Sequence, residues 1–341
     1  MNDPPTPRPD LAADQQQWTK ALAEAEQEAA QAAAGAPRVR ALLDAARAKW
    51  HLDDFVGCVK SATQCLAEKD LDTPTSLAVS ALTLAAFALV ELGAVEQARP
   101  LAQRALVLTR TEFLFDQLPI ALSCAASVDS ISGELDRAEG FHLEALARAS
   151  EATGLDPLQM ALCNLLGSYN LMLRQASSRG DTALVGAVKR RTRRHVAQGK
   201  LLKDDARLSA WRQLNLQQSL GEFLGLCGAQ PEGEQMLAGC LTHSATLSDP
   251  YLTQSIATTL AEQLAARGQY REALTLLDTH VRADSPHRGR FRRRLQATRT
   301  AESCLKHLGL VDEAARMAER GERDLQEWQA LRLEAIRCLA A

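Results

Sequence analysis

Aromatic residues are scarce in this chain, 4% of 341. A sheet core leans on aromatic and β-branched side chains, so the scarcity speaks for close-packed helices of alanine and leucine. Long apolar runs are missing as well. The longest, from Ala78 to Val90, is broken by Ser80 and Thr83, too short and too polar to span a bilayer. The first ten residues, Met-Asn-Asp-Pro-Pro-Thr-Pro-Arg-Pro-Asp, have no basic start followed by an apolar core; no export signal is visible, no membrane is implied, and the expected compartment is the cytoplasm. A net charge of −3 gives no overall field towards nucleic acid.

The motifs of chemistry are also missing. There is no Gly-x-x-x-x-Gly-Lys phosphate loop, no Gly-x-Ser-x-Gly elbow and no His-Glu-x-x-His, so neither an enzyme nor a cofactor is expected. Eight cysteines contain no Cys-x-x-Cys pair and none sits at zinc-finger spacing from histidine; no metal site is expected, and the cysteines read as small buried fillers. The seven histidines are scattered, with His142 and His280 at packing positions.

What is present is a repeated turn. Leu92-Gly93-x-Val95-x-x-Ala98 returns as Ser132-Gly133-x-Leu135-x-x-Ala138, as Gly268-Gln269-Tyr270-x-x-Ala273 and as Gly309-Leu310-Val311-x-x-Ala314. Turns are placed near 53, 93, 133, 180, 228, 268 and 309, at successive intervals of 40, 40, 47, 48, 40 and 41. Glycine suits such a turn because it adopts left-handed backbone angles freely. Small residues precede the turn by seven (Ala46, Ala86, Ala126, Gly221, Ala261) and follow it by five (Cys58, Ala98, Ala138, Gly233, Ala273, Ala314) and by twelve (Cys65, Ala105, Ala145, Cys240, Gly321). Small side chains there let paired helices approach closely. Around Gly180 the same positions hold Val185 and Thr192, with Lys189 between them, and a break in the array is expected there.

These residues resemble the tetratricopeptide repeat (TPR) family, over roughly 37–330, although the usual unit is about 34 residues. The resemblance implies an all-α, right-handed α-solenoid of about seven TPR-like hairpins. Around it are expected a disordered stretch at 1–9, an N-terminal helix at 10–36, and a C-terminal capping or connector helix at 322–341 with Leu325, Trp328, Leu331, Ile336 and Leu339 on an apolar seam. Either terminal helix could pair two copies into a homodimer. Arrays of this long period are found in sensor regions of bacterial signalling proteins, so the resemblance implies a regulatory module binding a protein, a peptide or a small anionic ligand, such as the N-terminal part of a diguanylate cyclase. The alternatives are a stand-alone adaptor and a polyanion-binding region of a transcriptional regulator.

In the family the first helix of each hairpin lines the concave face. Carried over, this puts Arg174 and Asn170, Glu222 and Gln218, Glu262 and Thr258, and Ser303 and Arg299 six and ten residues before their turns. The stripe is polar, so a wet groove is expected. Its richest part is Asn164, Tyr169, Asn170 and Arg174 on one helix and Trp211, Asn215, Gln218 and Glu222 on the next, with Arg299 further along. Asparagine can donate to and accept from a peptide backbone, and arginine grips a carboxylate or phosphate at two points. A basic patch at Arg190, Arg191, Arg193 and Arg194, and a second run at Arg288, Arg290, Arg292, Arg293 and Arg294, could contact phosphates. Without a nucleic-acid-binding motif in an acidic chain, nucleic acid is the disfavoured partner.

Overall fold

Left-handed backbone recurs along the chain at Asp53 (φ 60°), Gly93 (74°), Gly133 (83°), Gly180 (68°), Gly228 (85°), Gly268 (80°) and Gly309 (75°). At each of these turns the next residue's N–H bonds back to a carbonyl five residues earlier, as Ala94 does to Leu89 and Gln269 to Leu264. That is the Schellman closure of a helix end. Among the described residues these seven closures each join the two helices of a hairpin, and an eighth of the same kind, at Phe113 with the Leu114 N–H on the Thr109 carbonyl, lies between hairpins.

The computed structural model of the chain describes residues 15–68, 74–151, 154–244, 250–281 and 291–339. The stretch expected to be disordered, 1–9, lies outside them, as do Asp10 to Asp14 and Arg288 and Arg290 of the second basic run. Among the described residues all regular structure is helical. α1 (Gln15–Gln31) packs on α2 (Ala36–His51), with Trp18 stacked on His51 at 3.9 Å. The hairpins are α2 with α3 (Phe55–Ala67), α4 (Thr75–Glu91) with α5 (Val95–Thr111), α6 (Leu118–Ile131) with α7 (Leu135–Glu151), and α8 (Asp156–Ser178) with α9 (Thr182–Leu202). Then come α10 (Ala210–Leu226) with α11 (Gln230–Ser244), α12 (Pro250–Ala266) with α13 (Tyr270–His280), and α14 (Phe291–His307) with α15 (Val311–Cys338). The even-numbered helices from α2 to α14 each touch the next and form a continuous inner layer. No described helix is long and apolar enough to cross a membrane.

The small residues explain how the two helices of a hairpin meet. Ala46, Ala86, Ala126, Cys58, Ala98, Ala138 and Ala273 are all fully buried. A Cβ on Gly233 of α11 would sit 2.6 Å from the Gly221 carbonyl oxygen of α10, so only glycine permits that approach. Six of the eight cysteines are buried and all are free thiols. Burial pushes Cys58, Cys65 and Cys240 up to about 12, so they stay protonated and behave as apolar fillers.

Two expectations are corrected. No break separates the fourth hairpin from the fifth: α8 and α10 pack directly, Asn170 Nδ2 donating to the Ser219 carbonyl at 3.3 Å and Arg212 Nη1 to Gln159 Oε1 at 3.0 Å. Thr192, twelve residues after Gly180, is fully buried and folds its hydroxyl back onto the Val188 carbonyl, so a β-branched residue fills the small position. Nor does a separate terminal helix begin at Glu322. α15 runs through Gly321 without interruption, about 42 Å long at 1.5 Å per residue.

The far half of α15 returns to the start of the chain. It packs against α3, and Ala335 is buried in one cluster with Val39, Leu43, Phe55 and Leu89, flanked by Trp328, Leu331, Ile336 and Leu339. Trp328 Nε1 donates to the Glu91 carbonyl at 3.1 Å, and its ring lies 2.8 Å from where a Cβ on Gly93 would be. The apolar seam of the expected capping or connector helix is therefore covered, from Trp328 to Leu339, within the same chain. The first and last hairpins touch, and a hollow is left between three of the inner helices and α15.

Candidate functional site

The hollow is a cavity of about 680 Å³ between α8, α12, α14 and α15. Its lining is mixed: Leu171, Leu295, Leu325 and Trp328 are apolar, Arg174, Glu262, Arg292, Gln296 and Arg299 are charged or polar, and α14 contributes to both sets. Its volume falls within the range of clefts that hold small ligands, and a mixed lining of this kind is typical of them.

A polar network stiffens the cavity's base. Arg174 Nε and Nη2 donate to Glu222 Oε1 at 3.1 and 2.8 Å, and Nη2 also reaches Glu262 Oε2 at 2.6 Å. Gln296 Nε2 donates to Glu262 Oε1 at 2.6 Å, and Arg293 stands 4.0 Å from Glu222 Oε2. Four inner helices, α8, α10, α12 and α14, are tied by these contacts. Burial alone would raise the Glu222 carboxyl, but Arg174 and Arg293 outweigh it and hold it below its ordinary value. Burial would likewise lower the Arg174 guanidinium, and the two glutamates reverse that. Both groups are therefore charged, and each satisfies the other.

The candidates read from the sequence separate into groups. Arg174 and Arg299 line the cavity and Glu222 supports it. Asn170 and Gln218 do not form an open wall: they are 3% and 7% exposed. Their amides bridge neighbouring inner helices, Asn170 to the Ser219 carbonyl and Gln218 Nε2 to Ser255 Oγ at 2.6 Å. The expected wet stripe is thus largely an interhelical seam, because stacked inner helices bury the residues between them. Tyr169 points elsewhere, its hydroxyl donating to Glu139 Oε1 on α7 at 2.7 Å. Trp211 packs against Leu214, Leu237, Leu252 and Ile256. Asn164 and Asn215 are half-buried on α8 and α10.

The basic patch is partly neutralised. Arg191 Nη1 meets Glu139 Oε2 at 2.9 Å, Arg194 Nε donates to His195 Nε2 at 3.1 Å, and Lys200 and Lys203 pair with Glu232 and Asp204. Arg190 and Arg193 remain exposed on α9. The second run diverges at its three described arginines. Arg294 pairs with Asp324 and Glu327 and lies over the Phe291 ring, Arg293 faces Glu222, and Arg292 enters the cavity. Sequence reasoning placed Arg292 in a charge run and Leu325 and Trp328 on a seam, and so missed them as cavity walls. Only the return of α15 puts Leu325 and Trp328 there.

No family model matches the chain, and no curated protein matches it. Among solved structures, it is similar to a Rap protein complexed with Competence and Sporulation Factor, with a TM-score of 0.64 at 10% identity over 92% of this chain and 81% of that one. A second similar structure is BtubC (BKLC) from P. vanneervenii, with a TM-score of 0.46 at 18% identity over 71% and 93% of the two chains. A third is a tetratricopeptide repeat protein from Parabacteroides merdae, with a TM-score of 0.43 at 14% identity over 86% and 98%. With its seven stacked hairpins and the shared fold of the first of these, the chain is a TPR-like helical repeat protein.

Proposed function

We propose that the chain is a peptide-binding regulatory module whose ligand enters the central cavity, acting as the input part of a bacterial signalling system. The observation that carries this reading is the cavity itself: about 680 Å³, with guanidinium, amide and hydroxyl groups beside an indole and three leucines. A rigid charged base and an apolar wall fix the orientation of an amphipathic ligand and add burial energy to it. Support also comes from the Rap protein of the same fold, which was solved with Competence and Sporulation Factor bound. The signalling role rests on the long period of the array and on that likeness of fold.

The test is thermal stabilisation of the full chain by a panel of short peptides. A ligand at a hundredfold excess over its Kd adds about 2.7 kcal/mol to the folded state, a clear rise in melting temperature. Arg292→Gln and Trp328→Phe should each reduce the rise. A panel in which no peptide shifts the melt would remove the proposal.

A further inference from the structure

The charges around the cavity are unevenly answered. Glu262 is bonded by Arg174 and Gln296, and Glu222 by Arg174 with Arg293 nearby. The two remaining cations of the lining have no such answer. Among the described residues, no carboxylate lies within ion-pair range of Arg292 or Arg299. Among the described residues the lining therefore holds two guanidiniums without a carboxylate partner and no carboxylate without a cation.

Their spacing is informative. Arg292 and Arg299 are two turns apart on one face of α14, about 10 Å along the helix axis at 1.5 Å per residue. Leu295 lies between them on that face, and Leu325 and Trp328 close the wall beside it. A peptide in polyproline-II form, with three residues per turn at about 3.1 Å each, returns its side chain to the same face after about 9 Å, whereas a β-strand alternates faces at every residue. A guanidinium binds a carboxylate through two parallel N–H···O bonds.

We infer that the cavity selects a short acidic peptide in polyproline-II form, with two carboxylates about three residues apart. One carboxylate meets Arg292 and the other Arg299, while an apolar side chain between them rests on Leu295, Leu325 and Trp328. The inference rests on the peptide-binding reading above and names the class of peptide. Aspartate, glutamate and a free C-terminus supply the same chemistry. Arginine-rich or uncharged peptides are rejected, the first by like charge and the second because they leave the guanidiniums unanswered.

The experiment is capture of a randomised hexapeptide library on the immobilised full chain, in parallel with Arg292→Gln/Arg299→Gln, read by mass spectrometry. Retained peptides are expected to be enriched roughly tenfold or more in carboxylate pairs three residues apart, and the double variant is expected to lose that enrichment. Its melting temperature should stay at the parent value, because neither side chain gives up a carboxylate partner among the described residues. If it melts early, Arg299→Gln alone, an exposed position, carries the comparison. Peptides retained without acidic bias, equally by both proteins, would overturn the acidic ligand and leave peptide binding standing. Retention of nothing by either protein would remove both readings. Blocked-end and free-end libraries separate side-chain carboxylates from a terminal one.

Discussion

Trp328 lies across Gly93, its ring 2.8 Å from the position a Cβ there would take. Alanine at Gly93 therefore meets two penalties: the left-handed φ of 74° shared with the other turns, and a clash peculiar to this one. Gly133 has φ 83° and nothing within 4 Å of a Cβ. Gly133→Ala should cost about 1–2 kcal/mol, and Gly93→Ala about 1–3 kcal/mol beyond that, compared by equilibrium urea denaturation. Equal losses would show that the indole does not rest on the turn in solution.

Trp328→Ala removes the hydrogen bond to Glu91 and part of the cluster around Ala335. Since the indole is only half-buried, the cost should be roughly 2 kcal/mol, below that of a fully buried tryptophan. Amide hydrogen exchange is the decisive readout. It should quicken in α3 and near Glu91 as well as in α15, and acceleration confined to α15 would count against the closing contact.

Arg174 is a poor place to test ligand binding. Arg174→Ala strands the buried Glu222 carboxylate and unties Glu262, at a cost of about 3 kcal/mol. Arg299→Gln, exposed and without a carboxylate partner among the described residues, should stay within about 0.5 kcal/mol of the parent. Calorimetric melts of the two variants side by side check this ordering.

His142 is 2% exposed, and burial pushes its imidazole down to about 4. In the unfolded chain it takes its proton near 6.5, so the unfolded state binds more protons between those values. Its contribution is complete above about 6.5 and declines as pH falls towards 4, by about 1.4 kcal/mol per unit at most. His195 shifts in the same direction, through burial and then Arg194. Denaturation midpoints measured from pH 7 to 4.5 should fall, and His142→Leu should flatten the slope. An unchanged slope would mean that His142 is hydrated in the native state.

The architecture could be read from local signals. Gly93, Gly133 and Gly268 mark turns because a left-handed residue is a property of a few bonds, and Ala86 or Ala98 mark close approach because their smallness is needed where two adjacent helices cross. The seam and the cavity could not be separated in this way. Asn170 and Arg174 are four residues apart, only about 40° around the helix, yet that step moves from a buried interhelical amide to a cavity wall. The wall formed by Leu325 and Trp328 was illegible for another reason: the contact between Trp328 and Glu91 spans 237 positions, and no periodicity encodes a meeting at that distance.

The returning α15 also alters how the molecule can come apart. An open stack of repeats peels from whichever end is weaker, and its stability is a sum over units and their nearest neighbours. In this chain the last unit has the first as its neighbour, so the sum has a periodic boundary in place of a free edge. Damage to either terminus is shared by both, and melting should proceed as one transition where an open array would shed its outer repeats one by one.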